Sequence, residues 1–198
     1  HQANCSPSLR QHWRARGRSV LVPLCGKSID MIWLAEHGHA VVGCEIAERA
    51  IRSFFEESGL EYEERGESFV ATELPITIHC GDFFTFETAK CDALYDRAAL
   101  AALPEERRAD YVAQVDRLLV PDAERFVITL EYDQSKVAGP PFSVSPDELR
   151  RHWPGLREHE RRDALAEAPQ KFRNAGLESL TEVVWVSAAL AVAADGAA

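Results

Sequence analysis

The sequence predicts an α/β fold built on an open, mostly parallel, doubly wound sheet. Three observations lead there. Residues 19–45, SVLVPLCGKSIDMIWLAEHGHAVVGCE, place a strand, a tight loop, a helix and a second strand in one short stretch, the pattern of a βαβ unit. Short apolar runs recur at 76–80, 92–95, 126–130 and 180–186, separated by charged, turn-rich or helically periodic segments. At 198 residues the chain is one domain by length, able to bury a core without disulfide or metal staples. That domain is expected over residues 1–187, followed by a disordered alanine-rich tail over 188–198.

Taken in order, the chain opens with a weak helix signal over 9–16, where Trp13 is the large apolar residue. Residues 20–24 are β-branched and apolar, as suits a strand buried on both faces, and Pro23 sits near its end, where a lost N–H costs least. Cys25-Gly26-Lys27-Ser28 is a turn. Ser28 is the expected N-cap of a helix carrying Ile29, Ile32, Trp33 and Glu36 and stopped at Gly38. The second strand, 40–44, ends in Glu45. A helix over 47–58 follows, with Ala50, Ile51, Phe54 and Phe55 as a core stripe and Gly59 as its stop. Residues 60–75 read as an edge excursion or hairpin around Phe69 and Val70. The strand over 76–80 leads into Gly81-Asp82-Phe83-Phe84, and that over 92–95 into Asp96-Arg97.

Beyond it, 98–103 is an apolar linker, and Pro104 starts a helix with Glu105 and Glu106 at its positive end, reaching about Val120. The strand over 126–130 gives way to a loop, EYDQSKVAGPPFSV, whose Gly-Pro-Pro core has little backbone freedom to lose and so holds Phe142 in place. Ser145-Pro146-Asp147-Glu148 is a capping box for a helix ending at His152 or Trp153. The charged stretch 157–168 reads as solvated surface.

In a doubly wound sheet ligands bind beyond the carboxyl ends of the parallel strands, which brings Glu45 and Asp82 to one mouth. Glu45 falls about 20 residues past the first loop, where a carboxylate accepts both hydroxyls of a ribose. Asp82 can accept from an adenine amino group while Phe83 stacks on the ring. The bland readings are a strand-end surface acid for Glu45 and a turn aspartate for Asp82. The loop separates the nucleotide ligands. Gly26-Lys27-Ser28 resembles the tail of a phosphate loop, but Leu21 stands where that loop needs its first glycine. One glycine is too few for a dinucleotide pyrophosphate, which disfavours an oxidoreductase. An adenosine ligand without phosphate remains, and S-adenosyl-L-methionine is the common one. Asp96-Arg97 is either part of a reacting centre or a structural ion pair.

A net charge of −10 argues against nucleic-acid or anionic membrane partners. The five cysteines lack C-x-x-C spacing and suit buried, reduced thiols in a cytoplasmic protein. No apolar run is long enough to span a bilayer, and no exposed apolar stripe demands a partner, so a monomer is expected. The seven histidines show no metal-ligand spacing, and no Ser or Cys sits on a nucleophile elbow, so neither a metal nor a covalent intermediate is expected.

The segments VLVPLCGKSIDMIWLAEHGHAVVGCEIAE, CGDFF, YDRAALAALP and ITLEYDQSKVAGPPFSVS together resemble the bacterial branch of the thiopurine S-methyltransferase family, over nearly the whole chain to about residue 186. The resemblance implies a class I methyltransferase fold, Rossmann-like, with a seven-stranded, mostly parallel sheet and helices on both faces. It implies an S-methyltransferase that uses S-adenosyl-L-methionine, releases S-adenosyl-L-homocysteine, and acts on a small thiol or a selenium or tellurium acceptor. By the same resemblance Leu24, Glu45 and Arg97 contact the cofactor, Asp82 and Phe83 meet the adenine, and Phe142 lies near the acceptor. Arg97 would orient the donor and favour a thiolate acceptor, because a nearby cation lowers a thiol pKa. Family members carry a tryptophan-rich N-terminal segment ending in a GFHQ-like sequence that closes over the cofactor. The chain opens at His1-Gln2, within that motif, and Trp13 is too late to substitute. The expectation from this sequence is therefore weak cofactor binding, with a non-catalytic methyltransferase-like binding module as the alternative function.

Overall fold

The computed structural model of the chain describes residues 5–187; the tail expected over 188–198 lies outside them. In chain order the elements are α1 (Pro7–His12), β1 (Ser19–Pro23), α2 (Asp30–Glu36), β2 (Ala40–Glu45), α3 (Glu48–Ser58), β3 (Tyr62–Arg65), β4 (Ser68–Ala71), β5 (Ile76–Cys80), β6 (Cys91–Arg97), α4 (Ala99–Ala102), α5 (Glu105–Leu118), β7 (Leu119–Glu131), α6 (Pro146–His152), β8 (Leu156–Asp163), α7 (Gln170–Asn174) and β9 (Thr181–Ser187). They fall into two compact units. The first holds the chain up to Tyr95 together with residues 113–124; the second holds 96–112 and the chain from Arg125 onward.

In the first unit the strands run β3-β4-β5-β2-β1-β6. The pairs β5–β2, β2–β1 and β1–β6 are parallel, and β3–β4 and β4–β5 are antiparallel, so the expected edge hairpin is present. After its first residue β1 is buried at every position, as a central parallel strand must be when both faces are covered. The α3 stripe of Ile51, Phe54 and Phe55 is buried, and Gly59, in the left-handed region at φ 68°, ends the helix while the Leu60 N–H returns to Phe55 O.

Helix α2 corrects the expectation in two ways. It begins at Asp30, after Ile29, with no side chain capping its first turn; Ser28 lies in the preceding turn, where its N–H donates to Cys25 O. Its buried residues are Asp30, Met31, Leu34 and Ala35, not the Ile29, Ile32 and Trp33 face. Buried Asp30 explains the rotation: its two oxygens accept the Ser6 N–H (2.7 Å) and the Tyr95 hydroxyl (2.8 Å), which ties the N-terminal segment and β6 to the start of α2. The first helix is also earlier and shorter than 9–16. Ser6 accepts the Leu9 N–H and Pro7 occupies the first turn, a start signal that lies outside the apolar pattern. Trp13 ends it, buried, with its indole N–H on His39 Nε2 at 3.0 Å, while His39 Nδ1 meets Gly17 O at 2.7 Å.

In the second unit the strands run β7-β9-β8, all antiparallel. Strand β8 occupies part of the stretch expected to be loose charged surface. Its backbone pairs with β9 while its charged side chains form ion pairs, Arg161 with Glu131 and Glu158 and Arg162 with Glu182 and Glu167. A charged strand at a sheet edge resists pairing with other chains, so polarity there is no argument against strand. Nine strands are thus present among the described residues against the seven expected. The apolar linker at 98–103 contains a helical turn, α4, and β7 begins at Leu119, inside the stretch expected to be helix. A small core of Tyr132, Val137, Ala164, Ala168, Phe172, Leu177 and Leu180 lies under the loop that follows β7.

Candidate active site

The first unit brings Leu24, Glu45, Asp82 and Phe83 together at the carboxyl ends of three adjacent parallel strands. Register places Pro23 opposite Cys44 and Glu45 opposite Cys80, and the Gly81 N–H donates to Glu45 O at 3.0 Å. The loop after β1 is cinched onto β2: the Cys25 N–H donates to Cys44 O (3.1 Å) and the Gly26 N–H to Glu45 Oε2 (2.9 Å). That path forces Leu24 to φ 44° and Gly26 to φ 53°. A non-glycine residue held in the left-handed region is strained, and such positions cluster at binding sites. The other Glu45 oxygen accepts the Ala47 N–H at 2.8 Å. Glu45 is therefore oriented by two backbone donors and half-exposed, with lone pairs left on each oxygen.

Gly43 makes this arrangement possible, and nothing in the strand pattern of the sequence marks it. A β-carbon there would stand 2.9 Å from Cys25 Sγ and 3.3 Å from both Ile78 Cγ1 and Met31 Sδ. Gly43→Ala is expected to push Cys25 and the loop outward, at about 1–3 kcal/mol of stability. Paired denaturant titration and cofactor calorimetry should show both stability and affinity falling; unchanged affinity would show that the loop tolerates the shift. The Cys25 and Cys44 thiols are buried beside Glu45, and burial pushes both pKa values up, Cys44 to about 12, so they serve as packing groups rather than nucleophiles.

Asp82 is exposed, and its Oδ1 accepts the Phe84 N–H at 3.0 Å, an Asx-type turn. The ring of Phe83, expected to stack on a purine, is buried, and its carbonyl accepts from the Gln114 amide. The large apolar side chain at the surface of this region is Ile46, 72% exposed and next in sequence to Glu45, a residue that the pattern of buried strands does not single out. Lys27 does not reach for a phosphate: its ammonium lies 2.5 Å from Glu57. An oriented carboxylate beside exposed apolar surface fits an adenosine-type ligand.

Arg97 and Phe142 belong to the second unit, so the structure does not group them with the first four. Arg97 ends β6, half-buried. Its neighbour Asp96 is fully buried and structural. One Asp96 oxygen accepts the Ala99 and Leu100 N–H groups (3.0 and 3.3 Å), and the other accepts the Tyr111 hydroxyl (2.7 Å). Asp96 thereby anchors the start of α4, where Ala98 sits at φ 87°. Phe142 is half-buried and its N–H donates to Ala101 O at 2.6 Å. The capping box before α6 is only half made. Ser145 caps the Glu148 N–H, but the Glu148 side chain turns inward to a bidentate pair with buried Arg108. Among the described residues no cluster of His, Cys, Asp and Glu could hold a metal, and no helix is long and apolar enough to cross a membrane.

Solved structures place this architecture. The chain superposes on a SAM-dependent methyltransferase from Methanosarcina mazei with a TM-score of 0.65, covering 93% of this chain and 98% of that one at 14% identity. On the N-methyltransferase NodS from Bradyrhizobium japonicum, solved with S-adenosylhomocysteine, the TM-score is 0.63, covering 91% and 82% at 14% identity. The fold is that of the class I methyltransferases, with a parallel sheet centre as expected. Among proteins of closer sequence, a thiopurine S-methyltransferase of Pseudomonas putida is 45% identical over 196 residues, 93% of this chain and 90% of its own length. That of Azotobacter vinelandii is 43% identical over 198 residues, 93% of this chain and 90% of its own length. The sequence profile of the thiopurine S-methyltransferase family matches residues 1–189, and the chain belongs to that family.

Proposed function

We propose that the chain is an S-adenosyl-L-methionine-dependent S-methyltransferase acting on a small thiopurine or aromatic thiol, or on a related selenium or tellurium acceptor. The observation that carries the reading is Glu45, aimed by the Gly26 and Ala47 amides at the mouth of a parallel sheet in a chain of this family. Nothing in the relatives supports a non-catalytic binding module. When bound, S-adenosylmethionine supplies an electrophilic methyl group on a sulfonium, so no protein nucleophile is needed.

Glu45 accepts the ribose hydroxyls, Leu24 offers its strained backbone beside the cofactor, and Asp82 accepts from the adenine amino group. Because the Phe83 ring is buried, apolar contact with the purine falls to Ile46. Phe142 lines the acceptor side. Arg97 orients the donor end and holds the acceptor sulfur as thiolate by its charge; it is no base, since arginine stays protonated in proteins. The geometry sought is in-line displacement, and holding two reactants near contact is worth up to about 7–11 kcal/mol. The five cysteines are all free thiols, in keeping with a reducing cytoplasmic setting, and a monomer is the proposed state.

The direct test is product formation from mercaptopurine with S-adenosylmethionine, alongside calorimetric titration with S-adenosylhomocysteine. Binding without turnover across thiol, selenol and tellurol acceptors would favour the binding module, and a response to nicotinamide dinucleotide instead would favour the oxidoreductase. Arg97→Ala is expected to lower kcat/KM about 100-fold and move the acidic limb of the pH–rate profile toward the free thiol pKa. Unchanged turnover would remove Arg97 from the mechanism.

A further inference from the structure

The second unit carries a buried charge that the proposed chemistry does not use. Arg108, 2% exposed, spends its guanidinium on three separate segments. Nε donates to Leu103 O (3.0 Å) between α4 and α5, Nη1 to both oxygens of Glu148 (2.8 Å each) on α6, and Nη2 to Ser143 O (3.2 Å). A buried ion pair gives little net stability over apolar residues of the same volume, so stability alone is a weak reason for it. What the fork does supply is direction, because its planar donors fix three acceptors at once.

Those acceptors frame Phe142. Ser143, held by Arg108, is its neighbour, and Phe142 itself donates to Ala101 O in α4. The rest of the loop is pinned as firmly: Tyr132 Oη donates to Pro141 O (2.7 Å), the Ser143 N–H to Gln134 Oε1 (2.8 Å) and the Val144 N–H to Leu130 O (2.8 Å). On the other side the Phe142 ring lies against Gly139, where a β-carbon would come within 2.3 Å of it. The backbone on either side of Phe142 is thus fixed by the chain itself, and one face of its ring is covered by Gly139. Asp96, which caps α4, brings the segment following Arg97 into the same frame.

We infer that Arg108 is a positioning residue for the acceptor: with Glu148 it clamps Ser143 and so sets Phe142 as a preformed wall that governs acceptor binding and leaves cofactor binding alone. The inference rests on the reading that the acceptor lies beside Phe142. Two variants test it. Arg108→Lys keeps a charge opposite Glu148 but loses the fork, and the double variant Arg108→Met, Glu148→Leu removes both charges and guards against misfolding from an unpaired acid.

For each, acceptor KM and kcat would be measured with mercaptopurine, together with S-adenosylhomocysteine Kd and Tm. A KM rise of about tenfold or more, with Kd within about twofold of the parent, is expected, since small misplacements of a positioning wall are costly. Unmoved acceptor KM in a folded variant overturns the inference and leaves Arg108 a stability residue. A parallel rise in cofactor Kd overturns it too, because that signals general loosening. Phe142→Ala serves as the reference. Should it raise KM while the Arg108 variants do not, the clamp alone is wrong; should it leave KM unmoved, the placement of the acceptor fails and the clamp with it.

Discussion

Glu45→Ala is expected to weaken S-adenosylhomocysteine binding about 100- to 10,000-fold, because hydrogen bonds to a charged acceptor contribute about 1.5–3 kcal/mol each and, on the proposed reading, two ribose hydroxyls lose theirs. A second loss adds to the first. The Gly26 and Ala47 N–H groups, at 2.9 and 2.8 Å from the carboxylate, lose the acceptor that draws the loop onto β2. Both are near solvent and water can replace the acceptor, so the effect on stability should be small beside the effect on affinity. Glu45→Gln separates the two contributions: the amide keeps one acceptor oxygen but places a donor against one N–H, so its affinity should fall between parent and alanine. Calorimetric titration of the three proteins decides the matter. Equal affinity in all three would take the ribose away from the end of β2.

The second large effect is on the pH dependence of folding. Burial pushes Asp96 up from the ordinary carboxylate value of 3.8 to about 6, against the opposing pull of the Tyr111 hydroxyl and the Leu100 and Ala99 N–H groups. Between those two values the folded chain holds more protons at this site than the unfolded chain does. Stability from this group is therefore fully present below the unfolded pKa and is lost as pH rises through about 6, a change of about 3 kcal/mol. Surface acids such as Asp92, held down by hydrogen bonds from Ser19, contribute with the opposite sign and mask the trend in the parent protein. Asp96→Asn isolates it. Near pH 4, where the parent's Asp96 is a neutral acid with one acceptor oxygen and one donor edge like the amide, the two proteins should be of similar stability, and the variant should gain on the parent by about 3 kcal/mol on the way to pH 7. Denaturant titrations at half-unit steps would show this, and a constant gap would mean that Asp96 does not titrate in that window.

Much of the architecture was legible because it depends on local pattern. Continuous apolar runs marked β1, β2 and β5, and the stripe on α3 and the stop at Gly59 marked that helix. Each is set by residues within a few positions of one another. Family membership was legible for a different reason, since the motifs that carry it are spread over nearly the whole chain.

What only the tertiary structure decided is where polar groups find partners. Asp30 turned the buried face of α2 because Ser6 and Tyr95, distant in sequence, supply its donors. Strand β8 exists because β9 offers its backbone a ladder, whatever the charge of its side chains. Asp96 and Arg97 looked like one ambiguous pair, and the fold gave Asp96 to α4 and Tyr111. Glu148 left its capping box for Arg108, and Gly43 became essential once Cys25 was packed above it. A buried polar group must be satisfied by whichever partner the packed chain brings near, and that is fixed by the assembled fold rather than by neighbours in sequence.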